Sequence, residues 1–334
     1  MDLFFYIFLF IFWTMFGSFA SVIIYRIKSW EGWIWAWRSH CKTCERNLSS
    51  LELIPIFSWL FQWGRCKWCQ QKISSIYPLL ELSMWVLFAA VGYLLISPEL
   101  IFYWDMFEWT RMLFFISIMF LTVIYVFYDI LYLEIPESIL IWWNILALWA
   151  LIAQDMWYNF IPYIPTLGVN IMTLWVCLIV LVSLYIIMLA GLKERYDSLI
   201  VIWCIWLLWW YMYLTGSHFT DSALLSGTLA ALVIFISFFL QIVLSWWKWM
   251  WAGDLRIAIL MWLLVWVSFA FPAWMITYLV GSIIGIWLII SSKIKHGIKS
   301  DFNHQIPFGP FLAIWYLSIL FFHPQISKFI ELYF

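Results

Sequence analysis

Residues 222–246 read SALLSGTLAALVIFISFFLQIVLSW, without one charged side chain. About 20 predominantly apolar residues are enough to cross a bilayer as a helix, and a helix satisfies its own backbone hydrogen bonds where no water is present. The rest of the chain follows this stretch. Of its 334 residues, 66% are hydrophobic and 10% are charged, and the mean hydropathy is +0.97. A soluble domain carries about 25% charged residues, so the water-soluble classes are excluded. Apolar runs predict ten spans, near 3–25, 79–97, 111–128, 138–154, 169–190, 199–215, 222–246, 255–271, 273–291 and 307–322. The expected fold is an all-α polytopic integral membrane protein of about ten transmembrane helices. The first run is too long for the apolar core of a signal peptide and lacks a small-residue cleavage site, so no cleavable leader is expected. No repeat at a fixed period is visible.

Of the 17 basic residues, all but Arg111 and Lys328 fall on one side if the loop after the first span is cytoplasmic. The positive-inside rule therefore predicts that the N-terminus faces outward. Between spans one and two lies the one polar segment, 26–78, with eight of those basic residues and four of the six cysteines. It reads as a cytoplasmic domain too small to hold itself together without a staple. The expected organisation is a first transmembrane helix at 1–25, this domain at 26–78 and a membrane domain at 79–334. The net charge of −1 hides this uneven layout, and the lipid bilayer rather than nucleic acid is the expected partner.

The cysteines supply the staple. Cys41-Lys-Thr-Cys44 and Cys66-Lys-Trp-Cys69 present two Cys-x-x-Cys turns, the arrangement that offers four thiolates to one tetrahedral zinc ion. A reducing cytoplasm argues against disulfides; unliganded thiols are the alternative. Four cysteines leave no open coordination position, so such a metal is structural. Cys177 and Cys204 stand alone in spans and read as packing.

Immediately after the opening stretch comes WKWMWAGDLRIAIL at 247–260, with Asp254 between a Trp-rich run and an apolar one. Asp129 sits similarly, at the end of the third predicted span. Each alone reads as a helix-end carboxylate, and an anion at a helix N-terminus is favourable. Together they suggest a pair that shares a proton, one activating water and the other protonating the leaving group. That is aspartic protease chemistry.

Longer motifs carry a resemblance. FGSFASVIIYR (16–26), RSHCKTCERNL (38–48), LELIPIFSWL (51–60), GRCKWCQQKISSIYPLLE (64–81), DILYLEIPE (129–137), AGDLR (252–256) and IPFGPFLAIW (306–315) follow one another in an order that resembles the type IV prepilin peptidases, Gly-x-Gly-Asp aspartic proteases. The resemblance implies that Asp129 and Asp254 are the catalytic pair, with Gly253, Pro136 and Arg256 as motif support. It implies a multi-pass protein of the bacterial inner membrane, with its active site facing the cytoplasm. Type IV prepilins or pseudopilins would be the substrates. It also implies S-adenosylmethionine-dependent N-methylation, associated with the cysteine domain. Glu52 (in ELIP) and Glu81 (in YPLLE) are the candidates near the methyl-donor site, and both also read as structural carboxylates. A non-catalytic assembly factor with a zinc domain is the alternative function. A transporter is a third reading, which the clustering of carboxylates at span ends disfavours.

The chain departs from that pattern at Ser21 (Asn in the family), at Glu137 (Asp or Asn), and in two extra spans near 169–190 and 199–215. Its 29 Trp against 13 Gly is a further anomaly. Trp37, Trp249, Trp251 and Trp315 stand where glycine is common in the family. UGA codons that mean glycine, read as tryptophan, would account for both excess and deficit.

Overall fold

The computed structural model describes residues 2–29, 39–41, 43–134, 136–157, 160–161, 170–190, 194–244, 263–264, 269, 275, 277–287, 290, 307 and 309–333. Its contacts divide the chain into two units, Met1–Tyr132 and Leu133–Phe334. Among the described residues there is no strand, only two isolated bridges.

In the first unit, α1 (Asp2–Ser29), α3 (Ile76–Leu94) and α5 (Met106–Tyr132) pack against one another. Between α1 and α3 lie a short 3-10 turn (Ser50–Leu53) and α2 (Phe57–Phe61); α4 (Pro98–Phe102) leads into α5. The stripe that α1 buries, Phe5, Leu9, Trp13, Ala20 and Ile24, recurs at helical spacing on one face. On α3 the matching ridge is Leu80, Met84, Phe88 and Val91. At Gly92 the two helices come so close that a Cβ would collide with Leu9 and approach Phe5 to 3.2 Å, the close approach that small residues permit in membranes. Deeper along the seam the Trp13 indole N–H donates to the Glu81 carbonyl (2.5 Å). Asp105 caps α5, accepting the Phe107 (2.8 Å) and Glu108 (3.2 Å) N–H groups.

The second unit holds α6 (Glu137–Trp157), α7 (Ile171–Ala190), α8 (Glu194–Thr215) and α9 (Ala223–Leu244), then a short apolar helix, Thr277–Trp287, and a last helix, Gly309–Tyr333. The α9 helix packs against both α6 and α7, and α8 packs against α7. The last helix kinks at Phe322 (φ −124°, ψ 24°), two residues before Pro324, whose ring and missing N–H disrupt a helix interior.

Seven described helices are long and apolar enough to cross a membrane, and Ile171–Ile187 and Thr277–Trp287 are shorter apolar helices. Nine of the ten predicted spans thus meet a helix. The tenth, 255–271, falls almost wholly outside the described residues. The third span begins at Met106 rather than at 111. Arg111 lies within the helix because its guanidinium pairs with Glu108 one turn earlier (3.2 Å). The Glu108 carboxylate also accepts the Ser97 N–H (2.7 Å).

Candidate metal centre and adjoining cavity

Residues 39–48 and 64–73 are two copies of one turn, bonded position for position. The Cys41 N–H donates to the Arg46 carbonyl (3.0 Å), and the Glu45 N–H donates back to the Cys41 carbonyl (2.8 Å). In the second copy Cys66 donates to Gln71 (2.8 Å) and Gln70 to Cys66 (3.0 Å). An outer rung closes each copy, Leu48 to Ser39 (2.8 Å) and Ile73 to Gly64 (2.7 Å). Glu45 and Gln70 occupy equivalent left-handed positions, at φ 53° and 55°. The sequence shows no such repetition because few side chains besides the cysteines match. Gly64 must be glycine twice over: its φ is +65°, and a Cβ would come within 2.8 Å of the Trp59 ring.

The turns bring together the predicted ligands Cys41, Cys44, Cys66 and Cys69, whose sulfurs all lie within 4.8 Å of one another. Tetrahedral zinc with Zn–S bonds of about 2.3 Å needs sulfurs about 3.8 Å apart, and the Cys41 and Cys69 sulfurs are 3.8 Å apart. Electrostatics favour a cation as well. The Cys44 and Thr43 N–H groups hold the Cys41 thiol down to about 6. The Gln71 N–H acts similarly on Cys69, but desolvation and its hydrogen bonds to the other three sulfurs push it up to about 11. Without a metal the cluster welcomes one thiolate and resists further ones; a divalent ion supplies the missing charge. The donor set therefore fits zinc. Arg46 fastens the copies together: its guanidinium lies 5.4 Å from the Trp68 ring centroid and pairs with Glu52.

A cavity of about 740 Å³ lies between the cysteine turns and the C-terminal half of α1. Glu52 and Glu81, the two predicted methyl-transfer candidates, both line it, with Tyr25, Arg26, Trp59 and Tyr77. They differ in what already holds them. Glu52 closes a capping box, accepting the Ser49 N–H and hydroxyl (both 2.9 Å) beside its bond from Arg46. The Ser49 N–H is the chief reason its carboxyl titrates below the ordinary glutamate value. Glu81 accepts the Ile56 N–H (2.6 Å), and Ile56 has φ 62°. A β-branched residue there is a true backbone outlier, so the Glu81 carboxylate braces a strained turn at the cavity wall. Neither Tyr25 nor Tyr77 stands out in the sequence reading; only the fold brings them to this wall.

Asp129 lies in the last turns of α5 and is buried, 5% exposed. Pro136 is buried and its carbonyl accepts the Ile139 (3.1 Å) and Leu140 (3.3 Å) N–H groups at the start of α6. Asp254, Gly253 and Arg256 lie outside the described residues, as do Trp37, Trp249 and Trp251. Trp315 is half-buried in the last helix, and its indole Nε1 meets no acceptor among the described residues.

Residues 11–95, which include the whole cysteine centre and the cavity wall, match the Bacterial Peptidase A24 N-terminal domain. The chain resembles the type IV prepilin peptidases. It is 40% identical over 153 residues to a prepilin leader peptidase/N-methyltransferase of Bacillus subtilis, a match covering 45% of this chain and 56% of that protein. Over 93 residues it is 38% identical to one from Klebsiella pneumoniae, covering 26% of this chain and 41% of the relative. Over 45 residues it is 51% identical to a type 4 prepilin-like proteins leader peptide-processing enzyme of Escherichia coli, 14% of this chain and 17% of that one. The matches thus span about half the length of the curated relatives or less. No solved structure matches the chain.

Proposed function

We propose that the chain is a membrane-embedded aspartic endopeptidase of the bacterial inner membrane, which removes the leader of type IV prepilins or pseudopilins at the cytoplasmic face and N-methylates the new N-terminus. One observation carries this reading furthest. Within the segment that matches the peptidase family, a four-cysteine cluster and an apolar helix wall one cavity with two carboxylates in it.

In this reading Asp129 and Asp254 share one proton. The ionised carboxylate takes a proton from the attacking water, while the protonated one delivers its proton as the peptide bond breaks. The products are a leader with a new carboxylate and a mature chain with a free α-amine. The cavity receives that amine. Its volume suits a small-molecule ligand, and carboxylate and aromatic groups at Glu81, Tyr25, Trp59 and Tyr77 suit a positively charged one. S-adenosylmethionine, when bound there, supplies an electrophilic methyl group. Glu81 keeps the Ile56 turn in place, and Arg26 contributes a cation to the same wall. Zinc at the four cysteines holds the domain and takes no part in either reaction.

The test is leader cleavage in isolated membranes. Asp129→Asn and Asp254→Asn should each abolish cleavage while the protein remains inserted, because an amide neither takes up nor releases the proton. The double variant should be no worse than either single one, since groups acting as a unit are not additive. Glu134→Gln and Glu137→Gln serve as controls. Substantial cleavage by either single Asn variant removes the aspartic mechanism, and the non-catalytic assembly factor then takes its place.

A further inference from the structure

Asp155 is a carboxylate buried near the end of α6, 3% exposed, and the proposed chemistry does not use it. Both its oxygens are engaged at the start of α9. Oδ1 accepts the Ala223 N–H (2.7 Å), and Oδ2 accepts the Leu224 N–H (3.1 Å) and the Ser222 hydroxyl (2.8 Å). The Ser222 oxygen in turn accepts the Leu225 N–H (3.3 Å). The first three N–H groups of α9 are therefore satisfied, two of them from another helix, and the carboxylate lies at the positive end of the α9 dipole. A helix capped by its own residues can slide past its neighbour without losing the cap. One capped from across the interface cannot.

The seam continues this lock inward. One turn deeper, a Cβ on Gly227 of α9 would come within 2.4 Å of the Leu263 carbonyl oxygen and within 2.9 Å of Cδ1 of Leu151 on α6. A further turn in, Ala231 and Ala147 are both fully buried. Asp155 meets Ala223 and Leu151 meets Gly227, and antiparallel helical spacing carried one turn further sets Ala147 against Ala231. The chain enters α6 directly after Pro136 of the first aspartate motif and leaves α9 at Leu244, before the second motif at Asp254.

We propose that Asp155 is a positioning residue for the proteolysis, fixing the lengthwise register of α9 on α6, the helices that follow the first aspartate motif and precede the second in the chain. The proposal rests on the proteolytic reading above. A one-turn slip moves a helix by about 5.4 Å, and misplacement of a reacting group by about 1 Å can cost on the order of a hundredfold in rate.

The experiment has two readouts in membranes: leader-cleavage kinetics per inserted molecule, and disulfide cross-linking of an Ala147→Cys, Ala231→Cys pair in a background with Cys177 and Cys204 replaced by Ser. The parent should give one cross-linked product. Asp155→Ala should spread cross-linking to Cys placed at position 230 or 228 and lower kcat by about tenfold or more, with KM within about twofold. Asp155→Asn, which keeps an acceptor in place, should restore the single cross-link and most of kcat. A merely stabilising role would lower the amount of protein but leave kcat per molecule unchanged, and that result overturns the proposal. If Asp155→Ala does not accumulate, Asp155→Ser decides, since one short hydroxyl cannot serve the Ala223 and Leu224 N–H groups together, and parental kcat with the single parental cross-link in that variant overturns it. If the parent itself cleaves nothing, the proteolytic reading fails and with it the positioning role, while cross-linking still reports whether Asp155 sets the register.

Discussion

Glu45 and Gln70 occupy the same point in two copies of one turn, and both pay in backbone strain for being something other than glycine. The left-handed region costs an ordinary residue about 1–2 kcal/mol, partly offset by the greater freedom glycine has when unfolded. Gln70→Gly should therefore stabilise the cysteine domain by roughly 0.5 kcal/mol, read as slower loss of zinc to a chelator. The same reasoning reaches Trp63, at φ 53° and 88% exposed, and Trp104, at φ 58° and 77% exposed. Trp63 stays almost wholly exposed there, and Trp104 gains only a stacking contact with Trp109, 5.9 Å between ring centroids. These two positions extend the compositional anomaly from counting to geometry. Peptide mass spectrometry on protein from its own cells should find glycine at Trp63 and Trp315 if UGA codons underlie it; tryptophan at both, encoded by UGG, closes that account. Individual roles were only partly legible in the chain. The four cysteines announced themselves by spacing, and the capping box of Glu52 is as local, a Ser-x-x-Glu pattern closed on Ser49, whereas the brace from Glu81 to Ile56 joins residues far apart in sequence.

Helices were the most legible level, because a lipid-spanning segment must be both long and apolar and leaves a signal in composition alone. Boundaries failed where a charge was mistaken for an edge. Arg111 reads as an interfacial cation but sits inside α5 beside Glu108. Arg26 and Lys28 likewise belong to the last turn of α1, where cations complement the helix dipole. The interlock of α1 and α3 at Gly92 was invisible, since a glycine in an apolar run does not say which neighbour it admits. Gly92→Leu should force Phe5 and Leu9 apart and cost about 1–3 kcal/mol, measured as a lower midpoint of thermal unfolding in detergent. A variant with unchanged stability would mean that the two helices do not meet there. At the same scale, the purified protein should carry about one zinc per chain, and Cys66→Ser should release it. Metal analysis showing none in fresh reduced protein refutes the centre.

For the molecule as a whole, charge distribution predicts orientation. Reporters fused after residue 50 or residue 298 should read cytoplasmic, and one after residue 218 external. An external signal at residue 50 would place the cysteine centre on the oxidising side and undo the topology. That the chain crosses the membrane many times was plain from its composition. How the helices group into Met1–Tyr132 and Leu133–Phe334 was not, because grouping depends on which apolar faces meet and the sequence marks faces without marking partners. The doubled turn at 39–48 and 64–73 bears on how such a molecule is born. Each copy closes on its own hydrogen bonds within ten residues, so each is a half-site that needs nothing from the other. As synthesis proceeds from the N-terminus, the first pair of thiols is shaped before the second has been made. Capture of a metal would then be the meeting of two ready-shaped halves across a short tether, whose closure entropy is modest, so the order of its assembly would follow the order of the two turns in the chain.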